Sequence, residues 1–299
     1  MPEWFLHNDT RAVGAIGIVE PFHYGCKQCR WDRQIVCRPL RRTELLAKSV
    51  ERGRIGVRVE VSDLAGDRGR RALVLLHEGL GSVGLWRGFP QALHAATGRR
   101  VLAFSRFGHG NSDPPRRPRT PAFFHEEALD VLPALLPQLD AAGPILVGHS
   151  DGASIALIHA AYHPVTGLAL IAPHAFVEDV TVEEIARTRD LFAAGGLRER
   201  MARHHDDPDA AFHGWSDVWL DPAFREWNIE SDAQGVTAPT LLIQGSADAY
   251  GTLDQIDRIR ARIQGPVERL VVEGAGHSPQ FEAPEEVLRA IAAFSDRLP

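Results

Sequence analysis

Three features of this chain predict an α/β fold, a mostly parallel, twisted sheet with helices on both faces. Short, wholly apolar runs recur along it, stretches of helical period separate them, and one run ends in Gly148-His149-Ser150-Asp151-Gly152. Regular exchange between buried strand and helix is what a parallel sheet covered on both faces requires.

Ile55-Gly-Val-Arg-Val-Glu-Val61 alternates in character and suits a half-exposed antiparallel edge strand. Ala72 to Leu76, Val101 to Phe104, Ile145 to Val147, Leu168 to Ile171, Leu241 to Ile243 and Leu270 to Val272 are apolar throughout, as buried parallel strands are. Helices are expected at Leu85 to Ala96, Phe123 to Leu139, Asp151 to Tyr162, Leu253 to Ile263 and Pro284 to Leu298. Pro133 lacks an N–H, so the second of these should kink there. From His174 to Pro239 no strand is evident, only helical stretches such as Val182 to Phe192 and the aromatic residues Phe212, Trp215, Trp219 and Trp227. About 65 residues is too long for an ordinary loop, so 174–237 reads as a helical cap on a core of 51–173 and 238–299. Most of these aromatic side chains should pack internally, with one or two lining a pocket.

Residues 1–50 form an N-terminal extension without clear periodicity, expected to be partly disordered. His23, Cys26, Cys29 and Cys37 have the chemistry of zinc ligands, but lack the second Cys-x-x-Cys or the paired histidines of a strong site, so no metal or other cofactor is expected. The odd count of three cysteines argues against a disulfide framework. The formal charge of −6 argues against a nucleic-acid partner, and the basic excess is confined to the extension: eight Lys/Arg against five Asp/Glu there, 25 against 34 in the remainder. No apolar run nears the ~20 residues of a membrane span. Glu3 and Asp9 stand where an export signal needs basic residues, so a cytoplasmic location without a membrane partner is expected.

Gly148 and Gly152 let the chain turn sharply enough to leave Ser150 strained at a strand end, a nucleophile elbow. The helix starting at Asp151 aims its unpaired amides at the same spot, so the Asp151 N–H can serve an oxyanion. Such a serine needs a base and a carboxylate to orient it. Asp248 follows the strand ending in Gly245, and His277 follows the last strand, both at the carboxyl edge of the sheet, where ligands bind. Of 14 histidines His277 is the best placed; His109, His149, His163, His174, His204 and His205 are expected at the surface or behind the site, the last two in a solvated patch with Asp206 and Asp207. The second oxyanion donor should come from His77-Glu78-Gly79-Leu80-Gly81-Ser82, with Gly79 first and Leu80 second. Candidate substrate-binding residues are Asp151, Glu78, Trp215 and Trp219. The two carboxylates would make an acidic rim that favours cationic over anionic substrates, although the helix dipole alone also accounts for Asp151.

The order Ser150, Asp248, His277, with the His77 loop upstream and an insertion between, resembles the α/β-hydrolase superfamily over residues 55 to about 298. Arg106-Phe-Gly108-His-Gly110-Asn-Ser112-Asp looks like that family's Gly-x-Gly-x-Ser loop, and Gly276-His277 with Glu282-x-Pro284 adds to the likeness. Ser150-Asp151-Gly152 is similar to valacyclovirase-like carboxylesterases and to uncharacterised bacterial hydrolases. Two departures stand out: Glu78 where many relatives have Gly, and Asp151 where Met or Gln is commoner. The resemblance implies an α/β-hydrolase fold with a cap. With Ser150 as nucleophile it disfavours the Asp-dependent epoxide and haloalkane chemistries. The expected activity is serine hydrolysis of a small-molecule ester, thioester or amide through an acyl-enzyme. A carbon–carbon bond hydrolase of the ring-cleavage type can share the triad, and a non-catalytic binding protein can share the fold.

Overall fold

The computed structural model describes residues 58–299. Its strands are β1 (Val61–Leu64), β2 (Leu73–Leu76), β3 (Val101–Phe104), β4 (Ile145–His149), β5 (Gly167–Ile171), β6 (Thr240–Gly245) and β7 (Val267–Val272). They form one sheet in the order β1-β3-β2-β4-β5-β6-β7, parallel except for β1 against β3. The side-chain period of two sorts each central strand between two cores. Val74, Leu76, Leu146 and Leu170 face one, and Leu73, Leu75, Val147 and Ile171 face the other.

The helices are α1 (Phe89–Thr97), α2 (Phe123–Glu126), α3 (Leu132–Leu135), α4 (Asp151–Tyr162), α5 (Asp179–Ala193), α6 (Gly196–Met201), α7 (Pro208–Trp219), α8 (Glu230–Ala233), α9 (Asp254–Arg262), α10 (Pro279–Glu282) and α11 (Pro284–Asp296). α1 and α11 cover the second core, where Leu93, Ile291 and Phe294 are buried. α4 lies on the first, and its residues from Asp151 to His159 are all buried, which is why it shows no polar face. The insertion after β5 contributes α5 to α8 and returns at β6.

Four expectations shift. The edge strand lies at Val61–Leu64, later than Ile55 to Val61, and 55–57 are outside the described residues. Val61 already pairs with Phe104, the last residue of β3, so the chain before it meets a loop: the carbonyls of Glu60 and Arg58 accept the amides of Ser105 and Asp113. β7 is an edge strand with exposed Glu268 and Arg269, not a buried one. The helix expected from Leu85 splits into a short 3-10 turn, Gly84–Trp86, and α1, because Arg87 takes φ 52° between them. The segment around Pro133 is interrupted rather than only kinked. A π turn, Glu127–Val131, separates α2 from α3, with the Leu132 amide donating five residues back to Glu127. The cysteine cluster and the extension lie outside the described residues.

Candidate active site

Ser150 sits between β4 and α4 at φ 53° and ψ −120°, a region L-residues rarely occupy. The glycines beside it are required by space. A Cβ on Gly148 would stand 2.4 Å from Ala153 Cα, and one on Gly152 2.1 Å from the Leu76 carbonyl oxygen. The strained turn is therefore packed into place from both sides.

His277 reaches this serine from the loop after β7, its Nε2 2.9 Å from Ser150 Oγ. Its Nδ1 lies 2.9 and 2.8 Å from the two Asp248 oxygens. Asp248 also accepts from Gln244 Nε2 at 2.6 Å and from the Tyr250 amide at 2.8 Å, so every bond it makes favours the ionised form. Burial pushes the Asp248 carboxyl up, but the His277 charge and these bonds outweigh it, and the group titrates below its ordinary value. Burial likewise works against a charged His277, yet Asp248, Glu78 and Asp151 hold its pKa above the ordinary value.

The His277 loop is itself held. Glu282 accepts the Gly276 amide at 2.6 Å and the Ser278 amide at 3.0 Å, which explains the Gly276-His277 and Glu282 spacing. From the elbow, His149 Nε2 donates to the His277 carbonyl at 2.8 Å while its Nδ1 accepts from Gln280 at 3.1 Å. Burial pushes the His149 pKa down to about 3, so it is a neutral strut. Nothing local in the sequence marked Gln244 or Gln280 for these parts, while His149, expected at the surface or behind the site, stands behind it.

A small cavity of about 30 Å³ touches Ser150 and His277 and is lined by Glu78, Leu80, Asp151, His174, Trp215 and Trp219 among others. Trp215 and Trp219 come from the insertion, while Phe212 stacks on Phe192 and Trp227 on Phe224, away from it. Gly79 backs onto Trp215, and a Cβ there would stand 2.2 Å from the indole nitrogen. Among the described residues neither the Gly79 nor the Leu80 amide is spent on a backbone carbonyl, which leaves both available beside Ser150.

The two acidic residues lie inside the wall and not on an exposed rim. Asp151 is 1% exposed; Trp219 Nε1 donates to its Oδ1 at 3.2 Å, and Arg106 Nη2 is 3.9 Å from its Oδ2. Burial raises its pKa, with Arg106 opposing. Burial pushes Glu78 up to about 7, opposed by its own amide and by Arg106. His205 also departs from expectation: it is buried, while Asp206 and Asp207 beside it are exposed. The described residues hold no cluster of His, Cys, Asp or Glu able to bind a metal ion. No described helix is long and apolar enough to cross a membrane.

Comparison with known proteins identifies the family. The chain is 37% identical to the mouse sn-1-specific diacylglycerol lipase ABHD11 over 261 residues, 77% of this chain and 83% of that protein. Over 78 residues it is 36% identical to epoxide hydrolase A of Mycobacterium tuberculosis, spanning only 24% of that relative's length. Among solved structures, the enol-lactonase from Burkholderia xenovorans LB400 superposes with a TM-score of 0.64 at 21% identity, over 80% of this chain and 96% of that one. The model of the alpha/beta hydrolase family matches residues 73–290, from β2 into α11 and so through the whole Ser150 site, and the chain belongs to that family.

Proposed function

We propose that the protein is a serine hydrolase that cleaves a small-molecule carboxylic ester through an acyl-enzyme. The observation that carries this reading is the continuous hydrogen-bonded line Asp248–His277–Ser150 ending on a strained elbow. Ser150 Oγ attacks the acyl carbon while His277 Nε2 takes its proton. The negative oxygen that forms is met by the Asp151 amide and by the amide of Gly79 or Leu80. His277 then gives the proton to the leaving alcohol, and Asp248 stabilises the imidazolium in between. Water, deprotonated by His277, releases the acid.

The mixed wall of the cavity narrows the substrate. Trp215, Trp219 and Leu80 supply apolar contact, and Glu78 and Asp151 disfavour an anionic group near the scissile bond. The lining favours a neutral ester over an anionic one, and the lipase named among the relatives makes an acylglycerol the first natural ester to try.

A fluorophosphonate probe should label the protein once, at Ser150, and Ser150→Ala should abolish both labelling and turnover of a panel of chromogenic acyl esters. Labelling at another residue overturns the nucleophile. Including a ring-cleavage dione in the panel separates the carbon–carbon hydrolase, which would turn over the dione and not the esters. A single acylation without turnover would make the protein a binding module.

A further inference from the structure

Three consecutive carbonyls of the loop beside Ser150 are each held from behind by a buried histidine. His77 Nδ1 is 2.7 Å from the Glu78 oxygen, His109 Nε2 is 2.8 Å from the Gly79 oxygen, and His205 Nε2 is 2.9 Å from the Leu80 oxygen. The second nitrogen of His77 and of His205 faces an N–H donor: Arg106 N donates to His77 Nε2 at 3.0 Å and Gly110 N to His205 Nδ1 at 3.0 Å. His109 Nδ1 lies 3.2 Å from both Arg119 Nη2 and the Phe107 carbonyl, so its tautomer is set at the other nitrogen, where only a donor can meet the Gly79 oxygen. A ring nitrogen that meets a carbonyl must carry a proton, and His77 and His205 accept at the other, so each ring donates to the loop. Burial, the largest cause in every case, keeps each pKa below its ordinary value, that of His205 down to about 4. The rings also pack on one another, His77 to His109 at 5.0 Å and His109 to His205 at 5.8 Å.

Peptide planarity gives the clamp its consequence. In a trans peptide the C=O and the following N–H point in opposite directions, and no described peptide is cis. Holding the Glu78 carbonyl therefore aims the Gly79 amide, and holding the Gly79 carbonyl aims the Leu80 amide. Holding the Leu80 carbonyl aims the Gly81 amide, which closes the turn onto the Glu78 oxygen at 3.1 Å. Arg106 Nη2 adds a further bond to that oxygen at 2.8 Å. The free amides of Gly79 and Leu80 are the two expected to face the substrate's oxyanion.

We propose that His109 and His205 are positioning residues for the reaction: with His77 they lock the loop so that its amides are pre-aimed at the oxyanion. The three come from separate parts of the chain. His77 follows β2, His109 lies in the glycine loop after β3, and His205 belongs to the insertion after β5. Seating of the insertion on the core is thus part of building the oxyanion site, because His205 also accepts the Gly110 amide. This rests on the serine hydrolase reading above.

The test compares His109→Phe and His205→Phe with His109→Gln and His205→Gln on a chromogenic ester. Gln places a terminal N–H near the Nε2 position, and Phe fills the ring volume without a donor. Each Phe variant should lower kcat by about 10- to 100-fold with KM within about threefold, and each Gln variant should recover most of the loss. Affinity for an aryl trifluoromethyl ketone, which forms a tetrahedral oxyanion on Ser150, should fall in parallel with kcat/KM. A structural role would move Phe and Gln variants alike and show in thermal unfolding, and that result overturns the proposal. Unchanged kcat in soluble Phe variants overturns it as well. A Phe variant that does not fold leaves the decision to its Gln partner, which must hold ketone affinity within about threefold of wild type. A wild type that turns over no ester removes the hydrolase reading and the clamp's part in it together, whereas an active wild type with indifferent variants removes the clamp alone.

Discussion

Glu78 is a part-buried carboxyl set between an arginine and the imidazole it helps to charge. Its negative charge is among the causes that raise His277, after Asp248, and burial pushes its own titration up to about 7. Two consequences follow for Glu78→Gln. The rise of kcat/KM with pH, which in the wild type should be centred above the ordinary histidine value because the base must be neutral, moves to lower pH. A midpoint that stays put would show that Glu78 does not act on His277. Stability changes too. A carboxyl titrating at about 7 when folded and near 4.5 when unfolded binds its proton more tightly in the folded state. Its contribution is whole below pH 4.5 and is lost as pH rises through 7. Above that window the buried charge costs on the order of 3 kcal/mol, and urea unfolding at pH 8 should find the Gln variant more stable by about that amount.

The interrupted helix between residues 123 and 135 shows an element completed by its neighbour. Pro133 cannot donate, the chain widens into a π turn, and the Leu132 amide goes to Glu127 in place of Ala128. The Ala128 carbonyl left over is taken by His159 Nδ1 from α4 at 2.8 Å. His159 is buried, and burial pushes its pKa down to about 4, so it serves as a neutral donor. His159→Phe keeps the volume and orphans that carbonyl, and should cost about 1–3 kcal/mol in urea unfolding. Ester turnover by the folded variant should stay within about twofold, since the residue lies at the far end of α4 from Ser150. A stability unchanged within error would mean that water replaces the ring. That the helix is disturbed near Pro133 was legible from the residue alone. Its form as a π turn was not, because the histidine that accommodates it comes from another helix.

Across the whole molecule, one buried arginine ties the start of β3 to the end of α11. Arg99 Nη1 donates to the carbonyls of Arg71 and Pro299 at 2.9 Å each, and its Nη2 to those of Ser295 and Leu298 at 2.6 Å each. Its side chain is fully buried, and of the four carbonyls that of Ser295 is buried as well, while those of Arg71, Leu298 and Pro299 lie nearer the surface. Arg99→Met fills much of the same space, leaves the buried Ser295 acceptor unpaired and hands the other three to water, and should lower stability by about 1–3 kcal/mol in urea unfolding. Fluorophosphonate labelling of Ser150 in the folded fraction should persist, because the site lies at the opposite, carboxyl edge of the sheet. Loss of labelling without loss of stability would show that the staple acts on the elbow instead.

The sequence by itself determined the features whose physics is local. Apolar runs placed six of the strands, the glycines around Ser150 marked a turn that no side chain at Gly148 or Gly152 could share, and strand ends put Asp248 and His277 on one edge. Tertiary structure alone decided what depends on partners far along the chain. It turned Asp151 from a rim into a buried wall and left Glu78 part-buried beside it, because the insertion brings Trp215 and Trp219 against the site. It also made His205 a neutral donor to Leu80, 125 positions away, where the neighbouring charges suggested a solvated patch. A side chain's burial and its hydrogen-bond partner are set by what packs on it, and periodicity and spacing carry no record of that.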